Sequence, residues 1–254
     1  MSFIDGPDGE TMQRGLRVRE FTLDRGERPV PGVLWQHPDT EPGAPLICFG
    51  HGASSDRHHV SIQWLAHHLV DEHGCVGLAI DGPVHGRRMI GDGGRDAFRP
   101  EWGRPGSADD MTADWRAAID FVQAQPEIGD AGPVGYWGLS MGTIYGAPLV
   151  AAEPRISSAV LGLMGLTGPR AYRPVLDAAA AAIDVPVLFL LQLDDELFDR
   201  ESCLALFDAL ATDDKRLHAN PGLHPEVPIE ELHHSVDLLV RKLGAATHRI
   251  ESAG

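Results

Sequence analysis

The chain has 254 residues, of which 43% are hydrophobic and 23% are charged, proportions typical of a globular protein with a substantial buried core. Its formal net charge is −16 at pH 7. Such a charge repels phosphate backbones and anionic lipid headgroups, so it argues against binding to nucleic acids or to membrane surfaces. The most apolar stretch, residues 178–193, is interrupted by Asp184 and Pro186 and is too short to span a bilayer.

Three cysteines, Cys48, Cys75 and Cys203, are widely separated and form no CxxC pair. Their odd number and their spacing predict reduced, buried thiols and a reducing compartment. The first fifteen residues show no basic segment followed by an apolar one, so no signal peptide is expected. These features predict a cytoplasmic protein.

Two β-rich segments come first, at residues 15–23 and 28–36, and the short connection between them contains a glycine, which predicts an antiparallel hairpin. From residue 46 onward, short apolar runs alternate with longer amphipathic stretches. This alternation predicts an α/β fold with a mostly parallel sheet of about eight strands and helices on both faces. Helices are expected near residues 60–72, 108–125, 141–152, 171–182, 201–211 and 229–243.

No repeat or low-complexity linker divides the chain, so residues 1–254 are expected to form a single domain. Residues 82–107 interrupt the alternation with a long loop rich in glycine, proline and arginine. Long loops in compact domains are often functional, and ligands of open α/β sheets bind at this carboxyl edge. The loop therefore predicts a wall or lid of a site, with a surface excursion as the alternative. Residues 165–182 are expected to form a second, short lid-like segment.

The sequence Gly-Leu-Ser-Met-Gly at residues 138–142 fits the G-x-S-x-G nucleophile elbow. In that motif a serine occupies a strained turn between a strand and a helix, and neighbouring chains crowd the turn so closely that glycines are needed. Residues 134–137 are β-formers and residues 141–152 can form a helix, so both structural conditions are met. The motif predicts that Ser140 is a nucleophile rather than a cap or turn residue.

A serine hydroxyl is a weak nucleophile until a base accepts its proton, and that base needs a partner that fixes its tautomer. Behind an elbow of this kind the expected chain order is serine, acid, histidine. Acidic residues 194–196 follow the apolar run at residues 186–193, and His224 follows the next expected strand. The order is met, with Asp194, Asp195 and Glu196 as the alternatives for the acid.

Five segments of the chain resemble, in this order, those of the α/β-hydrolase superfamily: FGHGASSD, AIDGPVHG, GLSMG, LQLDDELF and PGLHPEVP. The resemblance spans roughly residues 46–243 and is nearest to the dienelactone-hydrolase-like and esterase-like branches. It implies Ser140 as the nucleophile and His224 as the general base. It favours Asp195 as the acid, because similar enzymes have a Gly-x-x-Asp turn there, although Gln192 stands in place of the glycine.

The resemblance also implies an oxyanion hole formed by the main-chain N–H groups of Ala53, which follows His51-Gly52, and of Met141, which follows the serine. Two departures limit what is implied. Dienelactone hydrolases use a cysteine nucleophile, so their specific activity does not carry over. No sizeable cap domain is inserted, so a small or open acyl pocket is expected.

Arg57, His85 and Trp102 are candidates for contacts with substrate near the expected site. A surface charge is the alternative for Arg57, and a structural hydrogen bond is the alternative for His85. The thirteen histidines include three adjacent pairs, but they form neither HExxH nor a paired H-x₃-H, so no metal site and no cofactor are expected.

The expected function is that of a serine hydrolase that cleaves carboxylic esters of a small-molecule acyl substrate through an acyl-enzyme. Amide, peptide, lactone or C–C bond cleavage, or acyl transfer to an alcohol, by the same triad is the first alternative. A non-catalytic binding protein that retains the fold is the second alternative. The sequence leaves a homodimer open.

Overall fold

The computed structural model describes residues 2–3, 9–130 and 132–245, and its strands form one sheet. Within these residues the strands are β1 (Ser2–Phe3), β2 (Glu10–Gln13), β3 (Leu16–Leu23), β4 (Val30–Gln36), β5 (Leu46–Gly50), β6 (Val76–Ile80), β7 (Val134–Gly138), β8 (Ile156–Gly162), β9 (Val187–Gln192) and β10 (Lys215–Asn220). The sheet has the order β1-β3-β4-β6-β5-β7-β8-β9-β10, and β2 pairs with β3.

The strands from β5 to β10 are parallel to one another, whereas β3 and β4 are antiparallel, as are β4 and β6. The expected N-terminal hairpin and the mostly parallel sheet are therefore confirmed. The sequence did not predict β1 and β2, which both pair with β3. All four residues of β2 are exposed, so this strand lacks the apolar alternation by which strands are recognised.

The helices in the described ranges are α1 (Val60–His67), α2 (Gly94–Trp102), α3 (Ser107–Gln123), α4 (Met141–Ala152), α5 (Arg173–Ala180), α6 (Arg200–Ala209) and α7 (Ile229–Leu243), and a π-helical turn extends α1 to Glu72. On one face of the sheet, Leu65 of α1 and Leu239 of α7 belong to one buried cluster. On the other face, residues of α3, α4, α5 and α6 share a second buried cluster. None of the helices in the described ranges is long and apolar enough to cross a membrane.

The long loop at residues 82–107 contains a helix, α2, that the sequence did not predict, because glycine, proline and arginine dominate the segment. Phe98 and Trp102 lie one turn apart on α2, and their rings stack with centroids 5.8 Å apart. The Trp102 ring also packs against that of Tyr172 at the start of α5, with ring centroids 6.0 Å apart. Tertiary packing of aromatic rings, rather than local propensity, holds this helix against residues 165–182.

Tyr136 of β7 lies beneath the turn that joins β7 to α4. Its ring is fully buried, and its hydroxyl donates a hydrogen bond to the Gly142 carbonyl at 2.7 Å. Gly146 of α4 faces the same ring so closely that a Cβ there would lie 2.2 Å from Tyr136 Cε1. The contact between β7 and α4 therefore requires glycine at this position.

We predict that Gly146→Ala destabilises the protein by about 1–3 kcal/mol, because the added methyl group overpacks the Tyr136 ring. In an open helix the same change stabilises by up to about 1 kcal/mol, so the sign of the effect is informative. Gly103→Ala is the matched control, since the nearest atom to its Cβ is 3.6 Å away. Urea unfolding measures both variants. A Gly146→Ala protein as stable as the wild type contradicts the packing described.

Candidate active site

Ser140 occupies a strained backbone conformation at the end of β7. Its φ is 58° and its ψ is −118°, and positive φ is rare for residues with a side chain. Its N–H donates to the Gly162 carbonyl at 3.0 Å, and α4 begins at the next residue. The side chain is thereby held at the carboxyl edge of the sheet, as expected for a nucleophile elbow.

The two glycines that flank Ser140 are required by close contacts. A Cβ at Gly138 would lie 2.7 Å from the Tyr136 hydroxyl. A Cβ at Gly142 would lie 2.5 Å from the main-chain oxygen of Gly50 on the neighbouring strand β5. The crowding that the motif predicts around this turn is therefore present, and main-chain atoms cause part of it.

Three widely separated side chains meet at this edge. His224 lies in the connection between β10 and α7, and its Nε2 is 2.9 Å from Ser140 Oγ. Its Nδ1 is 2.8 Å from Asp195 Oδ2, in the connection between β9 and α6. Because Asp195 accepts a hydrogen bond from Nδ1–H, Nε2 is left as the acceptor for the serine hydroxyl.

The three acidic residues in the turn after β9 have different partners. Asp195 also accepts N–H bonds from Leu197 at 2.8 Å and Phe198 at 3.0 Å, so its carboxylate is fixed by its own turn. Asp194 accepts from the Gly222 N–H at 3.3 Å, and Glu196 accepts from the His224 main-chain N–H at 2.9 Å. Of the three, the structure brings Asp195 to the imidazole of His224.

Two main-chain amides near the serine have no acceptor among the described residues. In the part of the chain that the structure describes, no group accepts a hydrogen bond from the N–H of Ala53 or from that of Met141. Met141 is buried and is the first residue of α4, where helix N–H groups point toward the turn. Buried amides are rarely left without an acceptor, and the positive end of a helix dipole favours an anion there.

The segment that carries Ala53 is tied down by two buried histidines. His51 Nδ1 lies 2.8 Å from the Gly52 carbonyl, and its Nε2 accepts a hydrogen bond from the Gly82 N–H at 2.8 Å. His85 Nε2 lies 2.7 Å from the carbonyl of Ala53 itself. The structure thus places His85 behind the Ala53 peptide, where it makes a structural hydrogen bond.

Arg57, a candidate for substrate contact, is paired with acidic residues of the protein itself. Its guanidinium is buried and forms ion pairs with Asp81 at 2.6 Å and with Glu20 at 2.9 Å. Asp81 is itself fully buried at the end of β6, and it also accepts the Arg57 main-chain N–H at 3.2 Å. A buried carboxylate requires a compensating cation, and the Arg57 guanidinium neutralises the charge of Asp81.

Trp102 is also away from the serine pocket. Its ring packs edge-on against that of Phe198, with centroids 6.3 Å apart. The Phe198 and His224 ring centroids are 5.7 Å apart. The structure therefore links Trp102 to the site through an aromatic neighbour and gives it no place in the pocket wall.

A pocket of about 160 Å³ opens directly onto Ser140 and His224. Its polar lining residues include Ser54, Ser55 and His59. Its apolar lining residues come from four different segments: Trp137, Leu139, Leu163, Val227 and Leu232. Sequence reasoning missed these wall residues, because each is an ordinary apolar residue within a strand, helix or connection.

No protein-family model and no curated protein matches this sequence. A cold-adapted esterase from an Arctic intertidal metagenomic library, solved in a PEG-bound complex, has a TM-score of 0.85 and 38% identity over 96% of this chain and 100% of its own. A zinc-bound structure of that esterase has a TM-score of 0.79. The chain belongs to the α/β-hydrolase superfamily.

More distant α/β-hydrolases share the fold. An acetyl xylan esterase from Paenibacillus sp. R4 has a TM-score of 0.69 and 18% identity over 93% of this chain and 87% of its own. Dienelactone hydrolase from Anabaena variabilis has a TM-score of 0.65 and 19% identity over 91% of this chain and 100% of its own. The resemblance to esterase-like and dienelactone-hydrolase-like members is therefore confirmed, and the protein is an enzyme of the α/β-hydrolase type.

We predict that His51 makes the protein lose stability in mild acid. Burial lowers the pKa of His51 from 6.5 to about 4, so between these pH values the unfolded chain binds a proton that the folded chain does not. The free energy of unfolding therefore decreases as the pH falls through this window, by up to about 1.4 kcal/mol per pH unit and about 3 kcal/mol in total.

The measurement is the difference between wild-type and His51→Gln unfolding free energies at several pH values from 4 to 7, the window around the two pKa values. The variant lacks this proton uptake, so its profile is expected to be flatter. Parallel profiles would show that His51 is not held neutral by burial.

Proposed function

We propose that this α/β-hydrolase is a carboxylesterase-type serine hydrolase that uses Ser140, His224 and Asp195 as a catalytic triad. The observation that carries the proposal is the continuous line of contacts from Ser140 Oγ through the imidazole to Asp195, at 2.9 and 2.8 Å. Ester bonds are the substrate class because the similar protein at 38% identity is an esterase.

In the first half of the reaction, His224 Nε2 accepts the Ser140 proton as Oγ attacks the ester carbonyl. The imidazolium that forms is stabilised by the Asp195 carboxylate, which also keeps Nδ1 protonated. The tetrahedral oxyanion is bound by the N–H groups of Ala53 and Met141. His224 then protonates the leaving alcohol, and Ser140 retains the acyl group as an ester.

In the second half, a water molecule gives a proton to His224 Nε2 and attacks the acyl-enzyme carbonyl. The same two amides bind the second oxyanion. Its collapse returns the proton from His224 to Ser140 Oγ and releases a carboxylic acid. The unpaired state of both amides and the strained serine turn support this assignment, because neither group needs to reorganise during the reaction.

We propose that the acyl group is short. The pocket next to Ser140 measures about 160 Å³, smaller than the roughly 300–1,000 Å³ of pockets that hold drug-sized ligands. Its apolar lining residues suit a small alkyl group, and Ser54, Ser55 and His59 add polar groups to the same pocket.

We also propose a cytoplasmic setting and a single domain. Burial raises the pKa of Cys75 to about 12, and burial together with Asp195 raises that of Cys203 to about 12. Both thiols therefore stay protonated and unreactive, as suits structural cysteines in a reducing compartment. The single sheet supports one folding unit.

We predict that Ser140→Ala lowers kcat on p-nitrophenyl acetate by about 10⁶-fold and that Asp195→Asn lowers it by about 10⁴-fold. Asp194→Asn is the matched control, since the Asp194 carboxylate accepts the Gly222 N–H at 3.3 Å whereas His224 Nδ1 is bonded to Asp195, and it is expected to stay within about tenfold of the wild type. Steady-state kinetics measures all three variants. If Asp194→Asn is the more damaging aspartate change, the triad assignment is wrong.

We predict that kcat/KM is highest for acyl chains of about two to four carbons and is at least about tenfold lower at eight, because longer chains exceed the pocket. Leu232→Ala should enlarge the pocket and shift this preference toward longer chains. Ile229→Ala is the control, since Ile229 is exposed on the same helix. Rates across p-nitrophenyl esters from acetate to octanoate provide the measurement. Turnover of anilides but not of any ester would replace the esterase assignment with amide cleavage.

A further inference from the structure

A second group of polar side chains lies outside the serine site, between the edge strand β10 and helix α7. His218 Nδ1 lies 2.8 Å from Glu231 Oε2, and His234 Nδ1 lies 3.4 Å from the same oxygen. One ligand-type atom from each residue lies within 4.8 Å of the other two. The two imidazole rings are nearly perpendicular, with centroids 4.9 Å apart. Two nitrogens thus converge on one carboxylate oxygen.

These distances are close to those of a tetrahedral metal centre. Zinc binds imidazole nitrogen at about 2.0–2.1 Å and carboxylate oxygen at about 2.0–2.2 Å, which separates neighbouring ligand atoms by roughly 3.3 Å. The separation of 3.4 Å between His234 and Glu231 matches this value, and that of 2.8 Å between His218 and Glu231 needs only a small opening. Glu231 and His234 have the i, i+3 spacing by which helices present a carboxylate and an imidazole to one metal.

The charge balance at Glu231 also favours a cation. Its side chain is 6% exposed, and a buried carboxylate is costly without a compensating charge. Among the residues that the structure describes, no lysine or arginine pairs with it, and its ion-pair partners are His218 and His234. The net charge of −16 attracts cations to the protein as a whole.

We propose that His218, Glu231 and His234 form a binding site for a divalent transition-metal ion of the Zn²⁺ class. His218 Nδ1, His234 Nδ1 and Glu231 Oε2 are the protein ligands, and water completes the coordination. This proposal differs from the sequence analysis, which predicted no metal site. That prediction weighed adjacent histidine pairs, whereas folding brings a strand histidine next to a Glu-x-x-His of a helix.

The position of this site gives it a structural role. His218 lies in β10 (Lys215–Asn220), and Glu231 and His234 lie in the first turns of α7 (Ile229–Leu243). The connection between these elements, residues 221–228, carries His224. A bound ion therefore ties together both ends of the segment that presents His224 to Ser140, and its effect is expected on stability rather than on the chemical step.

The test is isothermal titration of Zn²⁺ into metal-stripped full-length protein, combined with thermal unfolding. We expect one Zn²⁺ per chain and a rise in Tm of about 5 °C or more at a hundredfold excess over Kd. His234→Ala and Glu231→Gln should each weaken binding at least about tenfold and abolish the Tm shift. Half of the His234 side chain is exposed, so its loss should not unfold the protein.

His233→Ala is the matched control, because its ring packs on Trp64 and not on the cluster. It should keep wild-type affinity and stoichiometry. Co²⁺ gives a second readout, since a tetrahedral centre with nitrogen and oxygen ligands has visible absorption that His234→Ala should remove. Absence of stoichiometric binding, or binding that survives both His234→Ala and Glu231→Gln, would overturn the proposal and leave the cluster as hydrogen-bonded side chains.

Discussion

The strained main chain at Ser140 is the constraint on which the site depends. A positive φ at a residue with a side chain persists only where its surroundings fix it. Here the Ser140 N–H is bound to Gly162, and Thr143 Oγ1 accepts the Gly162 N–H at 2.8 Å. Tyr136 fills the space beneath the turn and bonds to Gly142. The side chain of Ser140 and the Met141 amide are therefore in place before substrate arrives, which is the physical meaning of preorganisation.

The parallel sheet explains why distant residues meet. Strands β5, β7, β9 and β10 end at the same edge, so the connections that follow them bring Ala53, Ser140, Asp195 and His224 together. Each connection is then fixed by its own contacts. The Asp195 carboxylate accepts a main-chain N–H bond within its own turn, and Glu196 accepts the His224 main-chain N–H. Hydrogen bonds of His51 and His85 fix the segment before α1. The same topology brings together His218, which precedes the segment that carries His224, and Glu231 and His234, which follow that segment.

The sequence predicted those parts that local patterns encode. The order of strands and helices follows from apolar runs, and Ser140 follows from two glycines that the crowded turn requires. Choosing Asp195 over its neighbours took a family resemblance, since adjacent acids look alike in sequence. The ion pair of Arg57 could not be predicted, because sequence does not reveal that Asp81 is buried beside it. The helix α2 and the pocket walls depend on contacts between distant segments, such as Trp102 with Tyr172, which no local pattern records.

The central claim is that His224 and Asp195 activate the hydroxyl of Ser140, and covalent labelling tests it most directly. The wild-type protein is treated with a fluorophosphonate, digested, and mapped by mass spectrometry. We predict one phosphonyl group on the peptide that contains Ser140, and slow or absent labelling in His224→Ala. An unlabelled wild-type protein, or a label on any other residue, would contradict it.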